Sequence, residues 1–394
     1  MAKTFDNTRV LNRPVTHIPA LRSVWTLRLV VGIGIVLGGA ISLTGTSWDI
    51  QWHSFVGRDR TLIPPHVMML SGVTLAGLLA LASVMLETLW VRRNAQLAQY
   101  STDFAGIFYC SRGAYVTGFA ALCAAIAFPL DSYWHALYGI DVAIWAPFHI
   151  MILTGMAVMP LGAAYMLASS ARLAAKDDNQ RAARISRFVI IVALGTMMGI
   201  MTLMLRDALD DERYIDLGSG FLNVFPLLAG LVTAYSFVTA RYALSQRAAA
   251  TYVMLAYLAF AFVFALFVPR ATDALVVAEH LQYRRSLGQF AYLSAVSMQA
   301  WPLMPVIIAP LLDVCFALAR RLNWSRAATL IALALLSLLS FFPVFALRPA
   351  LGLDFIEQLG TIGLLLSLLL GLGGAYLGTL LGRYTGVIMS QEER

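Results

Sequence analysis

Ionisable side chains are scarce in this chain: Asp, Glu, Lys and Arg make up 12% of 394 residues, about half the share found in ordinary soluble domains. So little charge cannot clothe a water-facing surface, which excludes a soluble globular domain. Cysteine is scarcer still. Cys110, Cys123 and Cys315 show no framework spacing, which excludes a disulfide scaffold and a cysteine-built metal site. Low-complexity and Pro-rich linker segments are absent, so one continuous membrane unit is expected. Residues 1–27 lack the apolar core and small-residue cleavage site of a signal peptide, and the first apolar run therefore reads as a retained span.

Apolar length is what the chain has in abundance. Hydrophobic residues make up 60% of it, and the mean hydropathy is +0.76. Ten runs are long enough to cross a hydrocarbon core of roughly 30 Å as helices of about 20 residues: 28–47, 66–91, 112–130, 146–169, 187–206, 219–240, 249–268, 292–319, 326–346 and 356–381. None alternates polar and apolar residues as a barrel strand does. The expected fold is all-α, a polytopic helical membrane protein of about ten transmembrane helices with the lipid bilayer as its first partner.

The basic residues give an orientation. Of 28 Lys and Arg, 20 lie at the N-terminus and in alternate loops, and 8 lie on the opposite side. The positive-inside rule then places both termini in the cytoplasm of a cell whose inner (plasma) membrane holds the chain. The net charge of +7 is accounted for by topology, so no nucleic-acid partner is expected.

Against this background two stretches repeat one pattern. The first contains Asp49, Trp52, His53, Gly57, Asp59, Pro64, His66, Met68, Leu70, Ser71 and Gly72. The second contains Asp131, Trp134, His135, Gly139, Asp141, Pro147, His149, Met151, Leu153, Thr154 and Gly155. Together they use four of the six histidines. One stretch joins the first run to the second, the other the third to the fourth. Residues 28–91 and 112–169 thus read as two copies of a helix, motif, helix unit entering the membrane in the same direction, a parallel repeat. Two such copies can face each other and bring all their Asp and His side chains towards one place. The chain then divides into an N-terminal cytoplasmic segment 1–27, the duplicated half 28–169, a cytoplasmic loop 170–186, a six-helix half 187–381 and a cytoplasmic tail 382–394.

The residue types in the pattern suit metal binding. Asp49 and His53, like Asp131 and His135, are spaced i, i+4, which puts both on one helix face one turn apart. Pro64, Pro65 and Pro147 stand where a new helix begins, so His66 and His149 fall in its first turn at the rim of the bundle. Gly57 and Gly139 permit the backbone turn between the arms. Two imidazoles and a carboxylate suit copper, iron, zinc or manganese. Asp59 and Asp141 are expected as an additional ligand or as groups orienting a ligating imidazole, with Trp52 and Trp134 as shields. The plainer alternative is helix capping or pairing with arginine, since Arg58 and Arg60 flank Asp59.

Other polar residues carry weaker signals. Glu87 and Asp313 lie inside spans near the cytoplasmic side, where pairing with Arg92 and Arg320 or reaching to the interface is expected. Met68 and Met151 sit off the histidine face and are expected to pack. Asp273, Glu279 and His280, in an outward loop expected over 269–291, suggest a degenerate relative of the hairpin.

The spacing Asp49, His53, His66 resembles the metal motif in the C subunit of the copper membrane monooxygenases, the particulate methane and ammonia monooxygenase family. Asp131, His135 and His149 follow it with one extra residue. The resemblance covers about eighteen residues per copy, and this chain has more spans than that subunit. It implies copper bound near the outward face, and with it an oxygenase-like or redox role.

Three functions follow. The first is a redox or oxygenase-like metalloprotein with Asp49, His53, His66, Asp131, His135 and His149 as ligands, copper preferred, iron next and zinc also suitable. The second is a metal permease or metal-delivery protein, disfavoured because no polar line is expected to lead inward from the motif. The third is a structural or accessory subunit of a larger membrane complex. Other membrane subunits and a periplasmic metal donor are the protein partners in view. A bis-histidine haem is the poorest option, because both histidines of a copy lie near a loop.

Overall fold

The computed structural model describes residues 21–57, 62–139, 145–207, 214–218, 220–284, 303–341 and 355–393. Among these residues the helices are α1 (Leu21–Phe55), α2 (Pro64–Arg93), α3 (Arg112–Tyr138), α4 (Pro147–Lys176), α5 (Gln180–Asp207), α6 (Phe225–Ala243), α7 (Ala249–Ala278), α8 (Leu303–Arg321), α9 (Arg326–Leu338) and α10 (Phe355–Glu393). Two antiparallel hairpins of three-residue strands, Thr102–Phe104 with Phe108–Cys110 and Tyr214–Asp216 with Phe221–Asn223, occupy connections.

Among the described residues seven helices, α1 to α5, α7 and the Gly360–Gln391 part of α10, are long and apolar enough to cross a membrane. The protein is therefore a multi-pass helical membrane protein. The other three runs contain shorter helices: α6 and α8 have 19 residues each and α9 has 13. Residues 285–302 and 342–354, which fall in or beside two of those expected spans, lie outside the described residues.

Glycines let these helices approach closely, as membrane helices do when lipid offers no hydrophobic drive between them. At the α1–α2 crossing a Cβ on Gly72 would stand 2.3 Å from the Gly38 carbonyl oxygen, and at the α3–α4 crossing one on Gly155 would stand 2.6 Å from the Ala120 carbonyl oxygen. In α10, Gly374, Gly378, Gly382 and Gly386 recur every fourth residue against the α6 backbone. The helices of both halves share one apolar core.

Contacts along the first four helices run antiparallel from each to the next. Gly38 meets Gly72, Gly118 meets Ala80, and Gly113 meets Gly162. The α1–α2 and α3–α4 connections therefore lie at the same end of the bundle, with the α2–α3 connection at the other. At that other end Glu87 is buried and ion-paired not with Arg92 but with Arg28 of α1: Arg28 Nε donates to Oε1 at 2.9 Å. Arg28 also donates to Ser169 Oγ at 2.6 Å and to the Tyr100 carbonyl at 2.8 Å. Asp313 likewise bypasses Arg320. It pairs with Arg241 at 3.4 Å and accepts from the backbone N–H and hydroxyl of Thr251, at 2.9 and 2.8 Å, in the first turn of α7.

The helices outrun the apolar runs that announce them. α3 passes through Pro129 and ends at Tyr138, and α7 passes through Pro269 and ends at Ala278. In a bundle, neighbouring helices compensate for the backbone bond a proline removes. The loop expected over 170–186 is in fact a short turn, since α4 ends at Lys176 and α5 begins at Gln180.

Candidate metal centre

Extension of α1 to Phe55 puts Asp49 and His53 in its last turns. Ile63 is extended (φ −77°, ψ 155°), the conformation that a following proline favours, and α2 then begins on Pro64. His66 is thereby set in the first turn of α2, facing α1. Gly45, one turn inward from Asp49, lets the helices close: a Cβ there would stand 2.7 Å from the Met69 nitrogen and 3.0 Å from the Pro65 oxygen. The result is Asp49 Oδ1 at 3.0 Å from His66 Nε2 and 3.5 Å from His53 Nε2. The two imidazoles are 6.2 Å apart between ring centroids.

The second motif builds the same arrangement from α3 and α4. Ala146 is extended (φ −60°, ψ 146°) before Pro147. Asp131 lies 3.3 Å from His135 Nε2 through Oδ2 and 3.3 Å from His149 Nε2 through Oδ1. Its rings are 5.7 Å apart. Ala127, fully buried, takes the place of Gly45 one turn inward.

These spacings fit a metal ion. An ion bonded to nitrogen and oxygen at about 2.0–2.2 Å holds neighbouring ligands roughly 3 to 3.5 Å apart. In each triad one donor atom per residue lies within 4.8 Å of the others. Asp49 Oδ1 and Asp131 Oδ1 are buried, and each faces imidazole nitrogen of its own triad. That is expected of donors converging on a shared point. Each triad offers three candidate ligands, one donor atom from each residue.

One imidazole is also oriented from behind. His135 Nδ1 lies 3.1 Å from the Gly139 carbonyl; a proton on Nδ1 donated there leaves Nε2 as the lone-pair donor facing Asp131. Gly139 adopts φ +89° and Gly57 φ +71°, backbone conformations that suit glycine alone without strain.

The structure separates the triads. Among the described residues the six candidate ligands fall into two groups of three, one at the α1–α2 connection and one at the α3–α4 connection. Asp59 and Asp141 lie outside the described residues. Trp52 is buried against Val56, Ile63 and Val276, whereas Trp134 is partly exposed and stacks on Tyr138 at 4.4 Å. Met151 packs against the core. Protein-family models, curated proteins and solved structures were compared with the chain, and none matches. The six ligand-type residues and their geometry therefore carry the functional argument by themselves.

Two features were missed by sequence reading. The first is polar residues leading inward along α1: Gln51, Ser47, Thr46 and Ser42 are all buried. Thr46 donates to the Ser42 carbonyl at 2.8 Å, and Gln51 Oε1 accepts from Thr272 at 2.9 Å. Their apolar neighbours masked them. The second is the segment after α7, where Leu281, Tyr283 and Arg284 fold back on the end of α1. Asp273 accepts from the Tyr283 hydroxyl at 3.1 Å. Burial, and then Asp273 itself, push the Tyr283 phenol up to about 12. No sequence pattern signalled either contact, because both partners are distant in the chain.

Proposed function

We propose that the protein is a membrane metalloprotein in which Asp49, His53 and His66 hold one ion and Asp131, His135 and His149 hold another. The observation that carries this reading is the recurrence of one donor geometry, a carboxylate 3.0–3.5 Å from two imidazole Nε2 atoms, at the mouths of two helical hairpins. Copper is the preferred ion, supported by the imidazole-rich set and by the resemblance of the spacing to copper membrane monooxygenase subunits. Iron is next, because two His and one carboxylate also form the facial set of non-haem iron. Zinc fits the same donors.

The reading extends to a redox or oxygenase-like role with both triads facing outward, on the side opposite the bulk of the Lys and Arg. A bound copper or iron supplies one-electron chemistry and an open position for a small ligand. The chain supplies the rest. Asp49 and Asp131 balance part of the ion's charge, the Gly139 carbonyl fixes one imidazole tautomer, and the close helix crossings hold the arms of each hairpin at ligand distance.

A second reading, a metal permease, draws on the buried polar residues of α1. It is weaker, because Gln51, Ser47, Thr46 and Ser42 include no carboxylate or imidazole, and Thr46 and Gln51 already engage the protein. Cu(II) added to the purified protein tests the first reading by electron paramagnetic resonance. Nitrogen hyperfine structure from imidazole is expected, with the signal reduced by His53→Ala and again by His135→Ala. A spectrum of free Cu(II) alone contradicts it.

A further inference from the structure

The two triads share their donors but not their surroundings. Over the first, the segment following α7 forms a strap. The Arg284 backbone N–H donates to the Phe55 carbonyl at 2.7 Å, tying the strap to the last residue of α1. Its side chain is seated on Gly57, closely enough that a Cβ there would meet the guanidinium. Leu281, Tyr283 and Leu275 pack on the buried cluster of Trp52, Val56, Ile63 and Val276, and Tyr283 is bonded back to Asp273 of α7. Beneath the strap, buried Thr272 of α7 donates to Gln51 of α1. The loop arm next to His53 is thus clamped from α7 by apolar packing and by hydrogen bonds at both ends.

The second triad has different surroundings. Among the described residues the helices packed most extensively on α3 are α4 and α2. Around His135 the side chains of Tyr133, Leu137 and Tyr138 are exposed by 63%, 56% and 70%, and among the described residues none comes within 4 Å of a Cβ placed on Gly139. His149 is the most exposed of the six candidate ligands, at 24%.

Release of an ion requires its ligands to separate, and separation costs more where the arms are clamped. We infer that the two centres divide their roles: the Asp49 triad retains a resident ion under the α7 strap, and the Asp131 triad is the exchange site through which metal enters and leaves. This rests on the metal-binding reading above.

The test uses the full chain in lipid nanodiscs, loaded with Cu(II) and then mixed with excess EDTA, with protein-bound copper followed over time. Two phases are expected, their rates separated by at least about tenfold, as for segments that differ in local opening free energy. His135→Ala removes the fast phase and His53→Ala the slow one. Joint replacement Leu281→Ala and Tyr283→Ala accelerates the slow phase, and the unchanged fast phase reports that the bundle is intact. A single phase carrying both ions, a reversed assignment, or a slow phase indifferent to the strap replacement overturns the inference while leaving metal binding standing. Failure to bind copper at either triad overturns the metal reading itself.

Discussion

The Nε2 atom of His66, in the first turn of α2, lies 3.0 Å from Oδ1 of Asp49, near the end of α1. A helix end, a glycine turn and two prolines intervene in sequence, so local spacing alone does not create the contact. It depends on how closely the two helices cross, and the crossing is set by glycine.

Gly72 is the sharpest point of that crossing, packed on the Gly38 carbonyl and on Ser42. Gly72→Ala should cost about 1–3 kcal/mol by overpacking. By moving His66 away from Asp49 it should also weaken metal binding by about 10–100-fold, as loss of a supporting contact does. Gly155→Ala should do the same to the second triad. Gly118→Ala, whose nearest neighbour would be 3.9 Å away, is the control that changes neither. Thermal denaturation and metal titration of the three variants check this.

Arg28 and Glu87 are 0% and 1% exposed, which makes removal of one partner costly. Arg28→Ala or Glu87→Ala should lose about 3–5 kcal/mol, because each leaves a buried charge without its partner. Replacing both, as Arg28→Met with Glu87→Leu, should recover most of that loss. Denaturant titration in detergent reads the difference. Equal losses for the single and double replacements would contradict an unpaired buried charge as the cause of the loss.

Cys110 lies outside the spans, fully buried beside Ser83, and burial pushes its thiol well above the ordinary range. In a chain retaining only this cysteine, maleimide should fail to label the folded protein at pH 8 and label it readily after denaturation. The folded state favours the protonated thiol. Its contribution to stability is therefore complete below the ordinary thiol range and declines as pH rises above it. Labelling of the folded chain at the rate of a free thiol would contradict the burial.

Much of this was legible because it is local. Long apolar runs announce helices, and i, i+4 spacing with a proline at the next helix start puts Asp49, His53 and His66 within reach. The opposite holds for Glu87 and Asp313. Their nearest basic residues in sequence, Arg92 and Arg320, lose to Arg28 and Arg241 on other helices, because a buried carboxylate takes the partner that packing presents. The helices run past the apolar stretches 112–130 and 249–268 to Tyr138 and Ala278, because an apolar run marks only the lipid-length part of a helix that continues beyond it. The strap of Leu281, Tyr283 and Arg284 was invisible for the same reason as the ion pairs: what it covers is far away in the chain.

The most direct test of the central claim is the metal content of the purified, folded chain, measured by elemental mass spectrometry after supplying copper, iron and zinc in turn. The account predicts one ion per triad for the preferred metal, with His53→Ala and His135→Ala each losing one and the double variant losing both. A folded chain that stays metal-free with all three ions, or variants that keep the full complement, would contradict it.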